Sequence, residues 1–159
     1  MPHVLINFHK TLPMFTVDRA VGRNAPNDRL DVLFVQFLLL ISKDWWETEG
    51  PPEPRVTRGL RVATPVFRAP PSGTYPKPQG DIIIDGICGD QTIGFIEYFQ
   101  EQMQLARRGV ELNGQVVPWG TLGTTTMSLL NEGLLHSPGY GPLYIMGGFP
   151  MELKSLFYY

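Results

Sequence analysis

Few side chains in this sequence can exchange protons, hold a metal or attack a carbonyl, and their spacing decides what they could do. The histidines are His3, His9 and His136, with no two at the helical interval that aims a ligand pair from one face and no acidic cluster beside them. Cys88 is the single cysteine, so an intrachain disulfide and a Cys-rich zinc site are both excluded. No histidine lies near it in sequence to draw off its proton, although a distant one could approach in the fold. Inside a Gly-bearing turn it reads as a small buried filler. Glu97 and Glu101 stand one helical turn apart, a spacing open to acid–base work but common on solvated helix faces. Gly147-Gly148 lacks the lysine and following helix of a phosphate loop. This inventory predicts no enzyme, no metal and no cofactor.

Bulk properties narrow the partners. The chain has 159 residues, 43% of them hydrophobic, which suits one domain spanning 1–159 with a substantial core. A net charge of −2 gives no electrostatic case for nucleic-acid binding. Arg55, Arg58, Arg61 and Arg68 are spread through one Pro- and Gly-flanked segment and read as a solvated face rather than a phosphate track. The longest apolar run, 32–41, is broken by Gln36 and is far too short for a membrane span. The first fifteen residues lack the basic start, apolar stretch and cleavage site of a secretory signal. A product that starts soluble in the cytoplasm is therefore expected, carried to a cell wall only by lysis or a secretion machine.

The elements that must position any site follow from periodicity. Val4, Ile6 and Phe8 alternate with Leu5, Asn7 and His9 as in a short strand. A helix is expected over about 30–42, capped by Asn27 or Asp28, with Asp31 in its first turn. Val32, Val35 and Leu39 form one apolar stripe, and Leu33, Phe37 and Ile41 another on the opposite side. A helix apolar all round must be covered all round. Residues 43–81 read as an inserted arm, with Pro-rich patches at 51–54 and 70–71, a turn at Arg58-Gly59, and Trp45 and Trp46 at its root. The stretch Asp85-Gly86-Ile87-Cys88-Gly89-Asp90 is a tight turn firing into a helix over 91–106, on which Ile93, Ile96, Phe99 and Gln100 share one side. A weaker copy at Asn113-Gly114 precedes a third helix expected over 121–130. The tail, 132–159, is too apolar for disorder and reads as a strand and a short docking element.

Three of these pieces resemble the peptidoglycan-binding domain of the three-helix type found beside bacterial and phage cell-wall hydrolases. Gly22, Asp31-Val32, Val35-Gln36 and Leu38-Leu39 are similar to its opening glycine, Asp-Val pair and Val-Gln-x-Leu-Leu helix. Asp85-Gly86-Ile87-Cys88-Gly89 with Thr92, Ile96 and Phe99-Gln100 is similar to its DGxxGxxT…FQ core. Asn113-Gly114, Val116, Pro118-Trp119-Gly120, Thr124 or Thr126, and Leu130-Asn131 are similar to its closing turn and helix. The match covers about half the chain, residues 21–42 and 82–131. Departures are Asn113 for the second aspartate, Asp90 for the usual proline, and a much longer link between the first two helices.

The resemblance implies a mainly α fold: a three-helix core decorated by short β-strands or hairpins from the N-terminal segment 1–20, the arm and the tail. It also implies a non-catalytic module whose shallow groove takes a peptidoglycan stem peptide or glycan, with Asp85, Gly89, Thr92 and Trp119 as candidate contacts. Each has a structural alternative. Asp85 and Thr92 can serve the turn and the helix start, and Trp119 can be an exposed stacking surface or a core ring. Gln36 and Gln100 lie beside the core stripes, where they can close hydrogen-bond networks or line the groove. The alternative function is a structural adaptor in a phage tail or contractile secretion apparatus. Its contacts with other proteins, or with further copies of the chain, would run through Trp45, Trp46, Phe67, Phe157 and Tyr158. Either role places the chain at the cell wall or within a virion or secretion particle.

Overall fold

In the computed structural model, the described residues are 1–5, 14–48, 75, 77–106, 108–120, 125–135 and 149–156. They form three α-helices with two small antiparallel ladders, a mixed or mainly α arrangement among the described residues. Strand β1 (His3–Leu5) pairs with β2 (Met14–Thr16), Val4 opposite Phe15. The strand expected over 4–8 begins one residue earlier, and its continuation past Leu5 lies outside the described residues. Strand β3 (Val21–Gly22) pairs with β4 (Gln115–Val116), joining the approach to the first helix to the second Gly turn.

Helix α1 (Arg29–Thr48) is nearly two turns longer than the periodicity implied. Nothing between Lys43 and Thr48 breaks a helix; the first breakers are Gly50 and Pro51. The first six residues assigned to the arm therefore continue α1. From Asp31 to Leu39 every residue of α1 is buried, as an apolar perimeter requires. Phe15 of β2 meets Phe34 edge-on, with ring centroids 6.0 Å apart, and Phe149 meets Phe37, one turn along the same side, edge-on at 5.2 Å. Phe149 leads into a 3-10 helix, Met151–Leu156, whose Leu153 is fully buried. The tail thus docks on α1, and each such ring contributes about 1.5–3 kcal/mol of burial.

Helix α2 (Asp90–Leu105) lies within one residue of its expected bounds, with Gly89 as N-cap in extended conformation. Helix α3 (Thr126–Leu135) starts later than expected. Its entry is a reciprocal cap, in which Ser128 N–H donates to Thr125 Oγ1 (3.2 Å) and Thr125 N–H to Ser128 Oγ (2.9 Å). A β-branched hydroxyl run serves a cap better than a helix interior, which displaces the start to Thr126. Asn131 of α3 then reads the β2 backbone like a strand partner. Its amide accepts from Phe15 N–H (2.8 Å) and donates to the Phe15 carbonyl (2.9 Å).

Candidate functional site

The turn at 85–87 is shaped from below by one side chain. Gln36 projects from α1 and is fully buried, so both ends of its amide need partners. Its Oε1 accepts the backbone N–H groups of Asp85 (3.1 Å) and Gly86 (2.9 Å). Its Nε2 has three acceptors within reach: Asp85 Oδ1 (3.1 Å), the Ile87 carbonyl (3.1 Å) and Thr92 Oγ1 (3.0 Å). Asp85 Oδ1 also accepts from Ile87 N–H at 2.9 Å, which closes an Asx turn. Gly86 is needed on two counts, a φ of +78° and a Cβ position only 2.6 Å from Arg29 Nη1.

The same device is built again from α2. Gln100, also fully buried, accepts through Oε1 from Asn113 N–H (3.2 Å) and Gly114 N–H (2.8 Å). Its Nε2 faces Asn113 Oδ1 (3.1 Å), the Gln115 carbonyl (2.9 Å) and Thr126 Oγ1 (2.9 Å). Asn113 Oδ1 accepts from Gln115 N–H at 3.0 Å. Helices α1 and α2 therefore each carry a glutamine that grips the Asx-Gly turn leading into the next helix, and each turn is met by a threonine from that next helix. An arginine–glutamate pair accompanies each glycine. Arg29 pairs with Glu152 (2.8 Å) and donates to the Asp85 carbonyl (2.6 Å), while Arg23 pairs with Glu97 beside Gly114.

The candidate contacts divide accordingly. Asp85 is exposed, and its second carboxylate oxygen takes no donor among the described residues. Its pKa is held below the ordinary carboxylate value chiefly by the Ile87 N–H bond, with burial opposing and Gln36 assisting. Gly89 is exposed and open, with nothing near its Cβ position. Thr92 is only 6% exposed and its hydroxyl is committed to Gln36, so it belongs to the scaffold of the turn. Trp119 is half-buried against the core, anchored by its N–H to Thr16 Oγ1 at 2.8 Å. The structure thus brings Asp85, Gly89 and Thr92 together at the first turn, whereas Trp119 packs on the core and is tied to Thr16 of β2. Phe67, Phe157 and Tyr158 lie outside the described residues, and for Trp45 and Trp46 only the helical backbone is described.

The residues that give this turn an outward surface carried no motif. Ile83 and Ile87 flank it at 60% and 67% exposure. Met151, 72% exposed, precedes the Glu152 that Arg29 joins to the turn. An isoleucine two places either side of Asp85 looks in sequence like one more core residue, so its exposure had no local signal. Cys88 is half-buried, and burial pushes its thiol pKa up, making it a poor nucleophile. Among the described residues no group of three or more His, Cys, Asp or Glu side chains could hold a metal ion. Nor is any helix among them long and apolar enough to cross a membrane.

Comparison with family models, curated proteins and solved structures found no match.

Proposed function

We propose that the protein is a non-catalytic peptidoglycan-binding module working within a larger bacterial or phage assembly, and that its binding face is the rim of the first turn. The observation that supports this most is the Gln36 clamp. A turn gripped from below by a buried amide keeps one backbone shape, so the outward groups of Asp85, Ile83, Ile87 and Gly89 are set before any ligand arrives. A carboxylate oxygen with no donor among the described residues, two apolar side chains and an open glycine suit a short peptide bearing amines and methyl groups. Thr92 and Trp119 contribute to this reading as supports of the fold.

Co-sedimentation with purified sacculi tests it. The folded wild-type chain is expected in the pellet, and the Ile83→Ser/Ile87→Ser double variant mostly in the supernatant. A folded wild type that stays in solution would remove the proposal.

The adaptor role is the second reading, favoured by the exposure of Ile83, Ile87 and Met151 on the two segments that Arg29 ties together through the Asp85 carbonyl and Glu152, since exposed apolar side chains near one another mark protein contacts. It predicts concentration-dependent association by sedimentation velocity that the same double variant abolishes.

A further inference from the structure

We infer that Asn113 is a latent succinimide-forming site, held closed in the folded protein by Gln100, and that the aspartate it would yield fits the turn as well as asparagine does. The inference is independent of what the protein binds. In an Asn-Gly pair the glycine has no Cβ to hinder its own nitrogen. Once that nitrogen is deprotonated by solvent base, Gly114 N can attack Asn113 Cγ. A C–N bond forms, the Cγ–Nδ2 bond breaks, and the nitrogen leaves as ammonia with the proton returned. Water then opens the ring at one of its two carbonyls, giving aspartate or isoaspartate.

The fold opposes the first step. Gly114 is buried, fixed at φ +70°, and its N–H points at Gln100 Oε1 at 2.8 Å. Asn113 Oδ1 is pinned by Gln115 N–H (3.0 Å) and Gln100 Nε2 (3.1 Å). Those two donors would favour an oxyanion at Cγ, but only after Gly114 N has been released. The Gln100 bond therefore controls the reaction.

The first turn shows that the product can be housed. Asp85 occupies the equivalent place, and its Oδ1 takes the equivalent two donors, Ile87 N–H and Gln36 Nε2. Among the described residues, the hydrogen bonds of the Asn113 side chain run through Oδ1 and none uses Nδ2. Exchanging the exposed amide nitrogen for oxygen leaves the turn intact. Isoaspartate instead adds a backbone atom between the two N–H groups that Gln100 grips.

Peptide mass mapping of the full chain, incubated at mildly alkaline pH, tests this. Conversion of Asn113 is expected to be at least about tenfold slower in the folded protein than in denaturant, the penalty of opening a buried segment. Gln100→Ala should accelerate it in the folded state, while Gln36→Ala, which loosens the other turn, should not. Asn113→Asp should unfold at the wild-type temperature or above. Equal conversion in folded and unfolded chains, equal acceleration by both glutamine variants, or a marked loss of stability in Asn113→Asp would each overturn the inference. The folded-against-unfolded comparison and the Asn113→Asp melt need no glutamine variant to fold.

Discussion

A glutamine with no solvent exposure destabilises a fold unless both ends of its amide are matched, and Gln36 and Gln100 are matched at both. Truncating Gln36 to alanine strands two backbone N–H groups and removes the donor to the Thr92 hydroxyl, so a loss of about 2–4 kcal/mol is expected from urea unfolding. Asp85 sits on the same network with its pKa lowered by the fold. The unfolded chain therefore binds its proton first as the solution is acidified. Its contribution is complete above the ordinary carboxylate pKa and fades as pH falls through the lower folded value. Asp85→Asn keeps the Oδ1 acceptor, as Asn113 does in the second turn, and should leave stability at neutral pH nearly unchanged. Denaturant midpoints between pH about 7 and about 3 should fall less steeply for this variant than for the wild type. Sequence reasoning located both glutamines and weighed network against groove. The pairing of each with a turn 49 or 13 residues away needed the fold.

At the scale of elements, glycine positions separate what the motif requires from what merely accompanies it. Gly22 has a φ of +128°, and a Cβ there would fall on the Gly114 carbonyl oxygen, where β3 meets β4. Gly22→Ala should destabilise by at least about 2 kcal/mol. Gly89, central to the resemblance, has an ordinary φ of −97° and open space around it, so Gly89→Ala should cost no more than about 1 kcal/mol in the same melt. Gly133 lets α3 approach α1, for a Cβ there would stand 2.5 Å from Ser42 Oγ. That hydroxyl is buried with no partner among the described residues. Ser42→Ala should therefore be neutral or stabilising by about 1 kcal/mol. It should also recover part of the loss caused by Gly133→Ala. Helix bounds were legible where breakers or caps were local, as for α2. They shifted where helix-compatible residues ran on, as after Ser42, or where Thr125 and Ser128 formed a reciprocal cap.

For the whole molecule, the covered second face of α1 was legible because an all-round apolar helix admits no other outcome. Which segments cover it was not, since Phe15 and Phe149 lie far from Phe34 and Phe37 in sequence. The turn surface was legible only in part. Asp85 and Gly89 announce themselves by turn chemistry, whereas the exposure of Ile83 and Ile87 depends on what the rest of the chain leaves uncovered. The central claim is that the clamped first turn recognises a wall peptide with its outer rim. Amide chemical-shift mapping of the isotopically labelled full chain with soluble peptidoglycan fragments tests it most directly. Saturable shifts concentrated at residues 83–90, and lost in Ile83→Ser/Ile87→Ser, are predicted. No shifts, or saturable shifts centred on Trp119 with residues 83–90 unmoved, would contradict it.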